Sequence, residues 1–326
     1  MISIQKSIGA HRNAIKGLAI LWVVYFHARL GLSGFLFEVQ KIGYGGVDLF
    51  MFLSGFGLFY SLEKDGDICR YFNRRLERLM PSYLPFCLVW LCVMLPISEA
   101  GKATAVRMIT GNLFMFGFFA NTVVMNWYIG VMALTMVLAP LFHAWLKGGR
   151  HGVLRGLALA ALCFAIGLAY IGQEQYMAFS RLPVFVLGML FAMPSEKKCR
   201  WLPGVLAVGG ILGLIAVYTC HARFPELLGE YAMYWHPFVL IAPAMCVGLG
   251  WLFGRLPVWL VRVFETLGKA SFEIYLFNAW GEILGKAGMA KTPVQWALLS
   301  AVTIVLGLAY HWLVGKIIRK VVDNRR

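Results

Sequence analysis

The chain has 326 residues, of which 60% are hydrophobic and 14% charged, and its mean hydropathy is +0.73. A soluble domain carries about 25% charged residues, so this composition excludes one and points to an all-α, polytopic transmembrane bundle; a β-barrel would show short alternating strands instead. The formal net charge of +15 raises nucleic acid as a partner, but the basic residues sit between apolar runs, which sets that reading aside and leaves membrane lipid as the surrounding medium.

Ten apolar runs follow in order, over about 15–32, 43–62, 80–97, 126–146, 153–171, 181–194, 202–220, 233–253, 269–285 and 294–315. Most are roughly 16 to 22 residues long, which suits a hydrocarbon core of about 30 Å. The stretch 102–124 is apolar but broken by Gly111, Asn112, Gly117 and Asn121, as an interfacial or re-entrant piece would be. No low-complexity region, repeat or soluble domain interrupts 1–326, so one membrane domain is expected. With an amino terminus in the cytoplasm and ten spans, 22 of the 30 basic residues fall inside and 8 outside. That bias supports both termini being cytoplasmic and a location in the plasma membrane, multi-pass. The first run follows Lys6 and Arg12 but lacks a small-residue cleavage site, and reads as an uncleaved span. The seven cysteines form no C-x-x-C pattern and read as small hydrophobes; no metal site is expected.

Three groups of polar residues stand out. The first is His27, about 18 Å up the first span, with Asp48 about 8 Å into the second from the opposite side. Antiparallel neighbours joined by a short connection bring such side chains to similar depth. An imidazole and a carboxylate together make a general-base pair, and ionisable groups within a membrane are functional by default; a purely structural hydrogen bond between helices is the bland alternative. The second group is "CRYFNRRLERLMPSYLP", in which Arg75 and Arg78, and Arg74 and Arg78, are helical neighbours. Arginines grouped at a membrane surface hold phosphates, although inside connections are basic in any case. The third is "LGKASFEIYLFNAWGE", which places Ser271, Glu273, Asn278 and Glu282 in the ninth run. His236 and His311 read as packed and satisfied.

Taken in order, "IKGLAILWVVYFH", "GGVDLFMFLSGF", "RRLERLMPSYLP", "NWYIGVMALTMVLAPL" and "LGKASFEIYLFN" resemble the acyltransferase 3 family of integral membrane acyltransferases. The resemblance implies transfer of an acyl group, usually acetyl, from acyl-CoA in the cytoplasm to a hydroxyl of a carbohydrate or lipid-linked glycan. It implies that His27 is catalytic, that Asp48 is the acid of the second motif, and that Arg75 and Arg78, with Lys16, serve acetyl-CoA. Arg74 is expected to join them at the coenzyme, and Glu273, Asn278 and Trp127 to meet the acceptor. Two positions depart from the family pattern. Lys16 stands where relatives commonly have Arg, which keeps the charge but loses the bidentate fork. Asn278 stands where they often have His, and an amide cannot act as a base. Two rivals remain at this stage: a secondary transporter using His27, Asp48 and Glu273 as a proton relay, and an inactive structural partner of a glycan-building machine.

Overall fold

The computed structural model describes residues 4–97, 101–122, 125, 127–147, 151–194, 201–224 and 235–323. The fold is all-helical, with 84% of residues in helix and no strand among those described. The helices are α1 (Ile4–His27), α2 (Gly34–Lys41), α3 (Gly45–Lys64), α4 (Ile68–Ile97), α5 (Lys102–Leu113), α6 (Trp127–Lys147), α7 (Gly152–Ala169), α8 (Tyr176–Phe179), α9 (Leu182–Ala192), α10 (Leu202–Arg223), α11 (Phe238–Phe253), α12 (Val258–Lys269), α13 (Ser271–Leu284) and α14 (Pro293–Asp323). A π-helical turn, Gly285–Met289, follows α13.

Each of the ten apolar runs coincides with a helix. Among the described residues six helices are long and apolar enough to cross a membrane, namely α3, α4, α6, α7, α10 and α14; the apolar segments Tyr176–Ala192 and Phe238–Phe253 are shorter. The largest departures from the sequence reading lie at helix ends. Helix α1 begins at Ile4, bends at His11 and stops at His27, so the imidazole sits at a helix terminus and not within a run reaching residue 32. Helix α4 begins at Ile68 and takes the whole arginine group into its first turns. Its start is set by Asp67, whose Oδ1 accepts the backbone N–H of Arg70 at 3.1 Å, as an N-cap should. Helix α14 opens on a reciprocal cap: Thr292 Oγ1 accepts from the Gln295 N–H at 3.3 Å, and Gln295 Oε1 from the Thr292 N–H at 3.1 Å, the capping box written as T-x-x-Q.

Helix α3 is the hub. It is buried over 83% of its apolar window, against 11% for α10 and 17% for α14, so α3 is covered on all sides while the other two present apolar side chains outward. Its contact with α9 is backbone to backbone. A methyl on Gly55 would lie 2.0 Å from the Phe185 carbonyl oxygen, and one on Gly188 would lie 2.1 Å from that of Phe52. Small residues are what let two helices approach this closely in the absence of a strong hydrophobic drive. The most extensive contact of α1 is with α12.

Candidate functional site

The end of α1 is pinned by α2. Trp22 Nε1 donates to Val39 O at 2.9 Å, Tyr25 OH to Leu36 O at 2.9 Å and Gln40 Nε2 to Tyr25 O at 2.8 Å. This fixes His27, the last residue of the helix, against α13. His27 Nδ1 lies 2.9 Å from Glu282 Oε2, the two side chains being 28% and 25% exposed, and Lys286 Nζ sits 2.5 Å from the other Glu282 oxygen. A carboxylate on Nδ1 orients the ring and leaves Nε2 as the nitrogen that exchanges a proton.

Asp48 does not face His27, and this corrects the pairing expected from the sequence. The face of α3 turned toward α1 is that of Gly46, whose absent methyl would sit 2.6 Å from Ala19 O. Two residues on, Asp48 is rotated by roughly 200° and points toward α9. Its carboxylate lies 3.9 Å from Arg181 Nε, with both side chains 2% exposed. The Arg181 guanidinium is centred 4.3 Å from the Trp235 ring and 5.3 Å from the Trp127 ring, and donates to Met177 O at 3.1 Å and Ser180 Oγ at 2.9 Å. Trp127, expected at the acceptor, is thus one wall of a buried cation cage. Arg181 is one of the eight basic residues that the ten-span reading counts as outside. The sequence signal that was available was its place beside Pro183 at the start of an apolar run, where an arginine needs a partner.

At the other end of α1 four cations come together. Arg12 and Lys16, four apart on α1, share their surroundings with Arg75 and Arg78 of α4; the charges acting on Lys16 are those of Arg12, Arg78 and Arg75. Arg12 reaches over Gly57 of α3, where a methyl would lie 2.1 Å from its guanidinium. Arg12 Nε and Arg75 Nε are buried and have no hydrogen-bond partner among the described residues, while the Arg75 guanidinium rests 5.7 Å from the Tyr71 ring. Like charges held together with buried, unspent donors are of the kind that can take up a polyanion. Arg12 was missed from the expected set, although its i,i+4 spacing to Lys16 marks it. Arg74, which was expected there, is engaged elsewhere: its guanidinium donates to Asp65 at 2.6 Å. That hydrogen bond holds the Asp65 carboxyl below its ordinary range.

A second acid–base group lies along α13. Ser82 Oγ donates to Glu273 Oε1 at 2.6 Å, His311 Nδ1 is 3.2 Å from Glu273 Oε2, and Tyr310 OH donates to Ser82 O at 2.9 Å. His311 is therefore satisfied, as expected, but 43% exposed and not packed away. Asn278, 5% exposed, lies on α13 between Glu273 and Glu282. His236 lies 3.1 Å from Tyr176 OH.

Lys16 and His27 are 11 residues apart on one helix, about 17 Å of axial rise. The cation group and the His27–Glu282 pair thus lie at the two ends of a single helix. A family model for an acyltransferase domain matches residues 13–312, which takes in every residue of this site except Arg12. No curated protein and no solved structure gives a match. By a match over nearly its whole length, the chain belongs to the acyltransferase 3 family of membrane acyltransferases.

Proposed function

We propose that the chain crosses the plasma membrane ten times with both termini cytoplasmic, and moves an acyl group, usually acetyl, from cytoplasmic acyl-CoA to a hydroxyl of a cell-envelope or extracellular carbohydrate. The observation that supports this best is the layout of α1, which carries unsatisfied cations at one end and a carboxylate-oriented imidazole about 17 Å away at the other. In this reading Arg12, Lys16, Arg75 and Arg78 hold the phosphates of the donor, and its extended arm runs along α1 toward His27. His27 Nε2 removes the proton of the acceptor hydroxyl. The oxygen then attacks the thioester carbonyl, the carbon–sulfur bond breaks, and the thiolate leaves and is reprotonated. Glu282, not Asp48, holds His27 in the tautomer that this requires and balances the charged ring. Asp48 and Arg181 keep α3 and α9 in register. Membership of an acyltransferase family favours this reading over a proton-relay transporter.

The test uses intact cells expressing wild type or His27→Ala at matched levels, with base-labile acetyl ester on envelope and secreted glycan measured by mass spectrometry. Ester that depends on His27 supports the reading. Ester unaffected by the substitution removes His27 from the reaction.

A further inference from the structure

The end of the bundle that carries His27 also carries a cavity of about 390 Å³ whose lining includes Arg29, Lys286, Lys291, Gly285, Gly288 and Trp296. The lining holds three cations and no acid. Its backbone is specialised. The π-helical turn Gly285–Met289 carries Gly288 at φ +102°, and such turns are frequent at functional sites. Trp296, 6% exposed, lies flat on Gly285, where a methyl would come within 2.4 Å of the ring. Arg29 rests over that ring, its guanidinium carbon 5.5 Å from the centroid. The indole thus holds the guanidinium by a cation–π contact and leaves its planar fork free for an oxyanion.

The cavity adjoins the reacting end directly. Lys286, in its wall, is 2.5 Å from Glu282, whose other oxygen orients His27 at 2.9 Å, and Arg29 is two residues beyond His27 in the chain. Outer connections of membrane proteins are poor in Lys and Arg. Of the eight basic residues which the ten-span topology places outside, three line this one cavity. Their concentration beside the imidazole calls for an anion, and the anion nearest a reacting hydroxyl is one carried by the acceptor itself.

We propose that this cavity is an anion subsite of the acceptor, which takes a carboxylate or phosphate of the sugar, so that the preferred acceptors are acidic glycans. The proposal rests on the acyltransferase reading for calling the bound glycan an acceptor, but the binding is measurable without turnover. The full chain is reconstituted in phosphatidylcholine nanodiscs and titrated calorimetrically with an oligogalacturonate and with its carboxyl-reduced, neutral counterpart. Wild type, Arg29→Gln/Lys291→Gln and Arg29→Lys are compared, while transfer of acetyl from acetyl-CoA to the oligosaccharide is followed in wild type and His27→Ala. We expect the acidic oligosaccharide to bind at least about tenfold more tightly than the neutral one, the doubly substituted chain to lose about tenfold, Arg29→Lys to retain most of the affinity, and added salt to weaken it. Equal affinity for both oligosaccharides, or no effect of the double substitution, overturns the proposal. So does a cavity that ignores the oligouronate and instead retains phosphatidylglycerol in native mass spectra in an Arg29- and Lys291-dependent way, which makes it a lipid-headgroup site. Uronate binding without His27-dependent turnover keeps the anion site and removes the acyltransferase reading on which its name depends.

Discussion

The sharpest consequence of the structure is that Glu282, and not Asp48, should govern the activity of His27. Glu282→Gln keeps the side chain's size and an oxygen for Nδ1–H but removes the charge. The contact is 2.9 Å long and about one quarter exposed on each side, so it is a charged hydrogen bond largely shielded from water, worth about 1.5–3 kcal/mol. If that energy is expressed as the ring gains its proton, kcat should fall roughly 10- to 150-fold. KM for the donor should stay near its wild-type value, because the cation group lies about 17 Å away along α1. Asp48→Asn should do the reverse. It leaves Arg181 without its carboxylate in a site only 2% exposed, which destabilises the fold. The 3.9 Å separation and the remaining contacts of Arg181 moderate the loss to about 1–3 kcal/mol, with kcat little changed in the fraction that stays folded. The assay is steady-state acyl transfer by purified protein, read beside its thermal unfolding. An inactive Asp48→Asn protein that melts like wild type, together with a fully active Glu282→Gln protein, would refute the reasoning and restore the pairing suggested by sequence order.

Three further outcomes follow. Arg12→Gln should raise KM for acyl-CoA about tenfold with kcat nearly unchanged, whereas Arg74→Gln should have a much smaller effect because that guanidinium is held by Asp65; donor titrations of the two variants decide it. Gly55→Ala should destabilise by about 2 kcal/mol or more, since its methyl would meet backbone at 2.0 Å that cannot yield cheaply; Gly204→Ala, with nothing within 4 Å, should melt as wild type does. The Asp65 carboxyl, held low by Arg74, contributes order to the 65–67 turn above the ordinary carboxylate value of about 3.9 and loses it as pH falls through the depressed folded value. Amide exchange in that turn, corrected for its intrinsic pH dependence, should therefore gain protection as pH rises from acid through the carboxylate range and level off above it; protection that instead falls as pH rises from acid would contradict the pairing.

What was legible in the sequence was whatever depends on composition and local period. The ten apolar runs all became helices, because a run of that length has no other way to satisfy its backbone in hydrocarbon. His27, Lys16, Arg75 and Arg78 stood out because charge in such a chain is costly to keep. What escaped was rotation. Depth along a helix follows from counting residues, and by depth alone Asp48 was a reasonable partner for His27. The direction in which a side chain leaves the helix depends on which face packs where, and on α3 that is decided by Gly46 against α1 and by Gly55 against α9. Glu282 was visible as a polar residue in the ninth run, but nothing local tied it to a histidine more than 250 residues away. The sequence also overextended the first span to residue 32, since Ala28–Leu32 is apolar apart from Arg29. The structure ends the helix at His27 and lets Gly31, at φ +62°, turn the chain.

The relation between α1 and α13 accounts for why both ends of the candidate site are polar while its middle is not. On α13, Glu273 and Glu282 are nine residues apart, about 14 Å of rise, with buried Asn278 between them. On α1, the stretch between Lys16 and His27 contributes Ala19, Ile20, Val23 and Val24 to the core. In the proposed reaction the donor's uncharged arm would take its passage along this weakly polar middle, with the phosphates at the Lys16 end and the acceptor hydroxyl at the His27 end. An amide at 278 fits that middle better than an imidazole would, because it offers a hydrogen bond without a titratable charge. Asn278→His should therefore add a protonatable group to the passage and slow transfer at acid pH while leaving it closer to wild type at alkaline pH. A rate that rises uniformly at all pH values would instead make Asn278 a substitute for a missing base, and the passage would need a second catalytic group.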